Sequence, residues 1–180
     1  MACSLTLAGR ELPCKNNVGG VKNVWILTDY NSTGESAFVP GMYAAVSGGR
    51  IASTGVATLY NDYASPKNVT TFTQTINSSV ENGNIFYTQV LSLTVSKEVA
   101  ADVIELREMK KGRLAIIVED YNGVKYVMGH TRGAEVSGGT VTTGTAVGDL
   151  NGITIEFTAE EQIPCPQVGA GTNMTFTPTV

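Results

Sequence analysis

Charge is what this chain of 180 residues has least of: Asp, Glu, Lys and Arg make up 16%, and 12 basic against 16 acidic residues leave a formal net charge of -4. A nucleic-acid binder needs a basic stripe to displace counterions from phosphates, and none is written here. Lys110, Lys111 and Arg113 read instead as the charged end of a helix, where cations complement the dipole. Histidine occurs once, at His130 beside Gly129, so any Ser-His-Asp or Cys-His arrangement would hang on one residue, and no serine sits in a G-x-S-x-G elbow. The three cysteines, Cys3, Cys14 and Cys165, form no C-x-x-C pair, which argues against a zinc site or a disulfide framework and makes reduced thiols the default. No run approaches the ~20 apolar residues of a membrane span. The opening MACSLTLAGRELPC has no apolar core of a signal peptide, so the reading is a protein made in cytoplasm with no membrane partner.

Other punctuating motifs are read as structure rather than chemistry. Ser47-Gly48-Gly49-Arg50 and Ser137-Gly138-Gly139-Thr140 lack a Walker lysine and precede strand-like residues, so both are expected to be turns. Asp149-Leu150-Asn151-Gly152 lacks the ligand ladder of a calcium loop and reads as an Asx turn. Glu119-Asp120 and Glu160-Glu161 fall at strand ends and are expected to be solvated; adjacent strand residues point to opposite faces, so neither pair makes an acid/base site. The Asn-x-Ser/Thr triplets at Asn31, Asn68, Asn77 and Asn173 reflect a chain rich in Asn, Ser and Thr. No catalytic, cofactor or metal residue is assigned; the chain is not read as an enzyme.

What the chain does have is β patterning. In residues 68–96 Thr71, Thr73 and Thr75 alternate with Phe72, Gln74 and Ile76. Farther on, Phe86, Thr88, Val90, Ser92 and Thr94 alternate with Ile85, Tyr87, Gln89, Leu91, Leu93 and Val95. Period two on both arms, with Asn82-Gly83-Asn84 between them, predicts a long hairpin with one apolar face and one uncharged hydroxyl face. Further strands are expected at 21–28, 42–46, 50–60, 114–120, 124–129, 134–136, 140–145 and 153–158. Tyr121-Asn122-Gly123 gives the strongest hairpin turn. Ser96 can cap a single helix over about 97–110, where Val99, Val103 and Leu106 repeat at helical spacing. Residues 30–41 form a long loop, with Ser32, Glu35, Phe38 and Pro40 as candidate inter-subunit contacts. A β domain over 1–162 is followed by a Pro- and Gly-rich arm or extension over 163–180, either docked on a neighbour or loose.

The segments AGRELPCKNNVGGVKNVW at 8–25, INSSVENGNIFYTQVLSLTV at 76–95 and GTVTTGTAVGDLNGITIEFTAEE at 139–161 together resemble the tail tube proteins of tailed bacteriophages. That resemblance implies a mainly β fold, a sandwich or barrel with one flanking α-helix and a long hairpin. It further implies a homo-oligomer: hexamers are the family pattern, with inner strands joined in one barrel and rings stacked into a tube. Thr71, Thr73, Thr75, Thr88, Ser92 and Thr94 would face the lumen. The partners would be further copies and other tail proteins, with DNA only passing through, and the location would be the virion tail. Two other readings stand beside it. One is another tail component, such as a terminator or connector ring; the other is a monomeric β-sandwich binding module, which would usually display an aromatic platform. Trp25, the only indole, lies instead within an apolar strand.

Overall fold

The computed structural model describes residues 17–27, 43–47, 50–54, 58–63, 68–97, 100–168 and 174–177, together with Lys15 and Pro66. The protein is mainly β. Its strands are β1 (Val21–Leu27), β2 (Tyr43–Ser47), β3 (Arg50–Thr54), β4 (Thr58–Tyr63), β5 (Thr71–Ser79) and β6 (Asn84–Ser96). After the helix α1 (Ala100–Met109) come β7 (Ile116–Asp120), β8 (Lys125–Met128), β9 (Glu135–Thr142), β10 (Gly152–Glu161), β11 (Gln167–Val168) and β12 (Met174–Thr177). They form two sheets. An eight-stranded sheet runs β12-β4-β1-β7-β8-β11-β3-β2, and a four-stranded one runs β5-β6-β10-β9. Neighbouring strands are antiparallel except for the β11–β3 and β12–β4 pairs.

Alternation along the strands builds the core between the sheets. Val24, Ile26, Ile116, Val118 and Met128 come from the larger sheet, and Leu91, Leu93, Ile153, Ile155 and Phe157 from the smaller, all within one buried cluster. Full burial of a Leu, Ile or Phe contributes about 1.5–3 kcal/mol, which fixes the register of β6 against β10: a slip of one residue would turn Leu91 and Leu93 outward. Helix α1 turns Leu106 and Met109 to the same core beside Val95, Ile153 and Ile155, while Ile104 stays exposed.

Several boundaries differ from the sequence reading. The expected strand over 50–60 is two strands, because β3 pairs with β2 and β11 whereas β4 pairs with β1 and β12 at the other side of the same sheet. The strands expected at 134–136 and 140–145 are one continuous β9. Ser137-Gly138-Gly139 is therefore no turn: it lies inside β9 at a register shift opposite Glu156 and Phe157, where an irregularity absorbs the extra residue. A Cβ on Gly139 would lie 3.1 Å from the Thr154 carbonyl oxygen, so the strands approach closely there. Ser47 and Arg50, by contrast, pair directly across a hairpin. The described helix begins at Ala100; Lys97 has φ 64 and its amide donates to the Asn151 carbonyl, so Ser96 ends β6. Beyond residue 163, β11 and β12 add strands to the larger sheet of their own chain.

Candidate functional site

The smaller sheet carries the residues singled out by the hairpin pattern. Cross-strand pairs Thr71↔Ser92, Thr73↔Val90 and Thr75↔Thr88 set β5 against β6, and the same β6 face continues onto β10 through Ser92↔Glu156, Val90↔Thr158 and Thr88↔Glu160. Register on β9 then adds Thr140 opposite Thr154 and Glu135 opposite Thr158. Thr71, Thr73, Thr75, Thr88 and Ser92 thus share the face turned away from the core. The first three are exposed and the last two half-buried. Thr94 is different: only 2% exposed, it lies against Thr154 Oγ1 at 3.2 Å, and its backbone amide donates to Thr70 Oγ1. It belongs to the same register but not to the open surface. Ser32, Glu35, Phe38 and Pro40 lie outside the described residues.

Hydroxyls on this face bond to one another across strands. Asn77 Nδ2 donates to Thr88 Oγ1 at 2.7 Å, Thr158 Oγ1 to Ser137 Oγ at 3.0 Å, and Ser137 Oγ to the Glu156 carbonyl at 3.2 Å. Charge on the face has one sign. The four strands contain no lysine and no arginine, while Glu135, Glu156 and Glu160 stand on the outward register positions. Arg113, outside the strands, approaches Glu135 at 3.4 Å. The acidic members were missed in the sequence because the alternation Thr154, Glu156, Thr158 gives a face but does not reveal that β10 pairs with β6.

Among the described residues no strand pairs with the outer edge of β5 or of β9. Neither edge strand has a lysine or proline to block pairing with another strand. Beyond the Tyr87↔Glu161 pair the β5–β6 hairpin leaves β10 behind and projects as a two-stranded ribbon. Ile76 and Ile85 continue the core-facing side of the strands onto this ribbon, where they are 65% and 60% exposed. Val80 at its tip is 96% exposed.

At the root of the ribbon is a polar cluster built around Glu161, which the sequence reading expected to be solvated. Glu161 is only 2% exposed, and its Oε1 accepts the backbone amides of Thr131 and Arg132 at 2.7 and 2.8 Å. Gln89 Oε1 accepts the Gly129 amide at 3.0 Å. These contacts hold the 129–134 turn, in which Gly129 has φ 69 and a Cβ there would meet the Ala134 nitrogen at 2.5 Å, so only glycine fits. Burial lowers the His130 pKa from its ordinary value, against the opposing pull of the Glu161 carboxylate. The Cys165 thiol is pushed up by burial and then by the same carboxylate, and it donates to the Val127 carbonyl at 2.9 Å. A raised thiol with its proton engaged is a poor nucleophile. Chemically the cluster anchors a turn.

No helix among the described residues is long and apolar enough to cross a membrane, and no group of His, Cys, Asp and Glu among them has the geometry to hold a metal ion. No family model matches this chain, and no curated protein matches it either.

Proposed function

We propose that this protein is a non-enzymatic structural subunit that closes into rings and stacks as a tube, the major tail tube protein of a tailed bacteriophage, with DNA passing through its lumen. The observation that carries the reading is the smaller sheet: four strands without a basic residue, an outward face of hydroxyls and glutamates, and two edges that no other strand pairs among the described residues. A wall for a moving polyanion has to avoid counterion-releasing contacts, and the four strands of this face offer phosphates no cation of their own.

Strand direction supports closure. β5 and β10 run one way and β6 and β9 the other, so β5 of the next subunit set beside β9 by rotation about an axis along the strands would be antiparallel. Every subunit then adds an even number of alternating strands, and the barrel closes without a parallel seam. Such a head-to-tail contact is heterologous and must either close or run on as a filament. The ring would satisfy edge groups that are an aggregation hazard on a monomer. The burial of Trp25 weighs against a carbohydrate-binding module, since the indole lies under Lys125 Nζ at 5.1 Å from its ring centroid and offers no platform.

Sedimentation and negative-stain microscopy of purified protein, with and without a tail-initiating complex, test the reading. Rings or tubes with interfaces on the order of 2,000 Å² or more are expected. A monodisperse monomer at high concentration under both conditions would contradict it.

A further inference from the structure

We propose that Asn82-Gly83, at the tip of the projecting ribbon, is a self-modifying site that converts to aspartate and isoaspartate in the folded protein. This inference does not depend on the tube reading. The chain contains three Asn-Gly pairs, at 82–83, 122–123 and 151–152, and the fold treats them differently. The reaction needs the backbone nitrogen of the glycine to attack Cγ of the asparagine. A C–N bond forms, ammonia leaves, and the product is a five-membered succinimide; water then opens either carbonyl to give the α- or β-linked carboxylate. No oxidant, reductant or cofactor enters. What decides the rate in a fold is whether the glycine N–H and the asparagine amide are tied down.

At 151–152 the backbone is held. Gly152 is buried in the ladder between Ser96 and Thr142, a Cβ there would lie 2.2 Å from the Val95 carbonyl oxygen, and the Asn151 carbonyl accepts the Lys97 amide at 2.8 Å. At 122–123 the Gly123 amide donates to the Asp120 carbonyl at 3.1 Å. The Asn122 side chain there accepts from the Val18 amide at 3.0 Å and donates to Asn17 Oδ1 and to the Val18 carbonyl at 2.8 and 2.9 Å. At 82–83 neither group is held. The Asn82 backbone amide donates to Ser79 Oγ at 3.4 Å, but no hydrogen bond of its side chain, and none from the Gly83 amide, is formed among the described residues. Both residues are exposed, and the space around Gly83 is open to 4 Å. The nucleophile and the carbon it attacks are adjacent, solvated and free to turn. Conversion would place a new carboxylate next to Glu81, an irreversible charge change at the tip of the hairpin.

The test is peptide mapping with isoaspartate detection on the full-length folded protein held at mildly alkaline pH, beside the same protein in urea. Because the other two sites must open locally before they react, conversion at Asn82 is expected to be at least about tenfold faster than at Asn122 or Asn151 in the fold, and the three rates should converge in urea. The variant Asn82→Gln should abolish the fast phase and leave the slow ones unchanged. Conversion at Asn122 or Asn151 as fast as at Asn82 in the folded protein, or a rate at Asn82 in the fold as slow as at those two, would overturn the proposal.

Discussion

Glu161 Oε1 sits 2.7 Å from the backbone nitrogen of Thr131, so a carboxylate on the core side of β10 caps a turn thirty residues earlier in the chain. A second amide, that of Arg132, shares the same oxygen. Glu161→Leu would leave both donors without their acceptor and should cost about 2–3 kcal/mol, because unsatisfied partly buried donors lose the full desolvation penalty. Glu161→Gln keeps an acceptor oxygen and should lose about 1 kcal/mol, since only the charge assistance goes. Urea midpoints at neutral pH measure both; equal losses would show that the two amides do not depend on this oxygen.

Acid should weaken the fold through His130. Burial lowers its folded-state pKa below the ordinary 6.5, so on acidification the unfolded chain takes up the proton first. Stability is therefore whole above about pH 6.5, falls as pH drops below that value, and levels off once the folded-state value is passed. Thermal midpoints from pH 8 to about 5 should show the fall in the native protein and a flatter profile in His130→Asn, which cannot titrate in this range. An unchanged slope in the variant would assign the effect elsewhere.

Cys165 should resist alkylation. Its thiol is raised by burial and its proton is given to the Val127 carbonyl, so little thiolate exists at pH 8. Mass spectrometry of the peptide containing Cys165 after iodoacetamide should find it unmodified in the folded protein and modified in urea. Rapid labelling of the folded protein would contradict the raised thiol and its bond to the Val127 carbonyl.

The hairpin faces separate folding from assembly. Thr73→Lys and Thr75→Lys alter exposed positions and should change stability within about 0.5 kcal/mol. The same changes add like charges on an inner wall of the proposed ring and should hinder its closure. Leu91 and Leu93 are 0% exposed, and lysine at either site puts an unpaired charge into the packed core. Circular dichroism should find those variants unfolded. Folded leucine variants beside unfolded threonine variants would mean that the faces are reversed.

How much of this was legible in the chain follows from which contacts are local. The β5–β6 hairpin was readable because Thr71–Ser79 and Asn84–Ser96 each carry their own period-two signal around an Asn-Gly turn. The two Ser-Gly-Gly segments were not distinguishable, since one joins β2 to β3 and the other lies within β9 only because β10 passes beside it. Strands as short as Gln167–Val168 have no period to read; they exist through pairing with Tyr126 and Arg50, far away in sequence. Burial of Thr94 under Thr70, and of Glu161 beneath the 129–134 turn, is likewise tertiary. In the candidate site the threonines were found by pattern, while Glu135, Glu156 and Glu160 joined them only through sheet register.

The most direct measurement is a cryo-electron microscopy reconstruction of the assembled protein, read for the position of Glu156 and Thr73. The expected result is a closed barrel in which β9 of one subunit pairs with β5 of the next and both residues line the central channel. A reconstruction with that face on the outside of the assembly, or with the β5 and β9 edges unpaired, would contradict it.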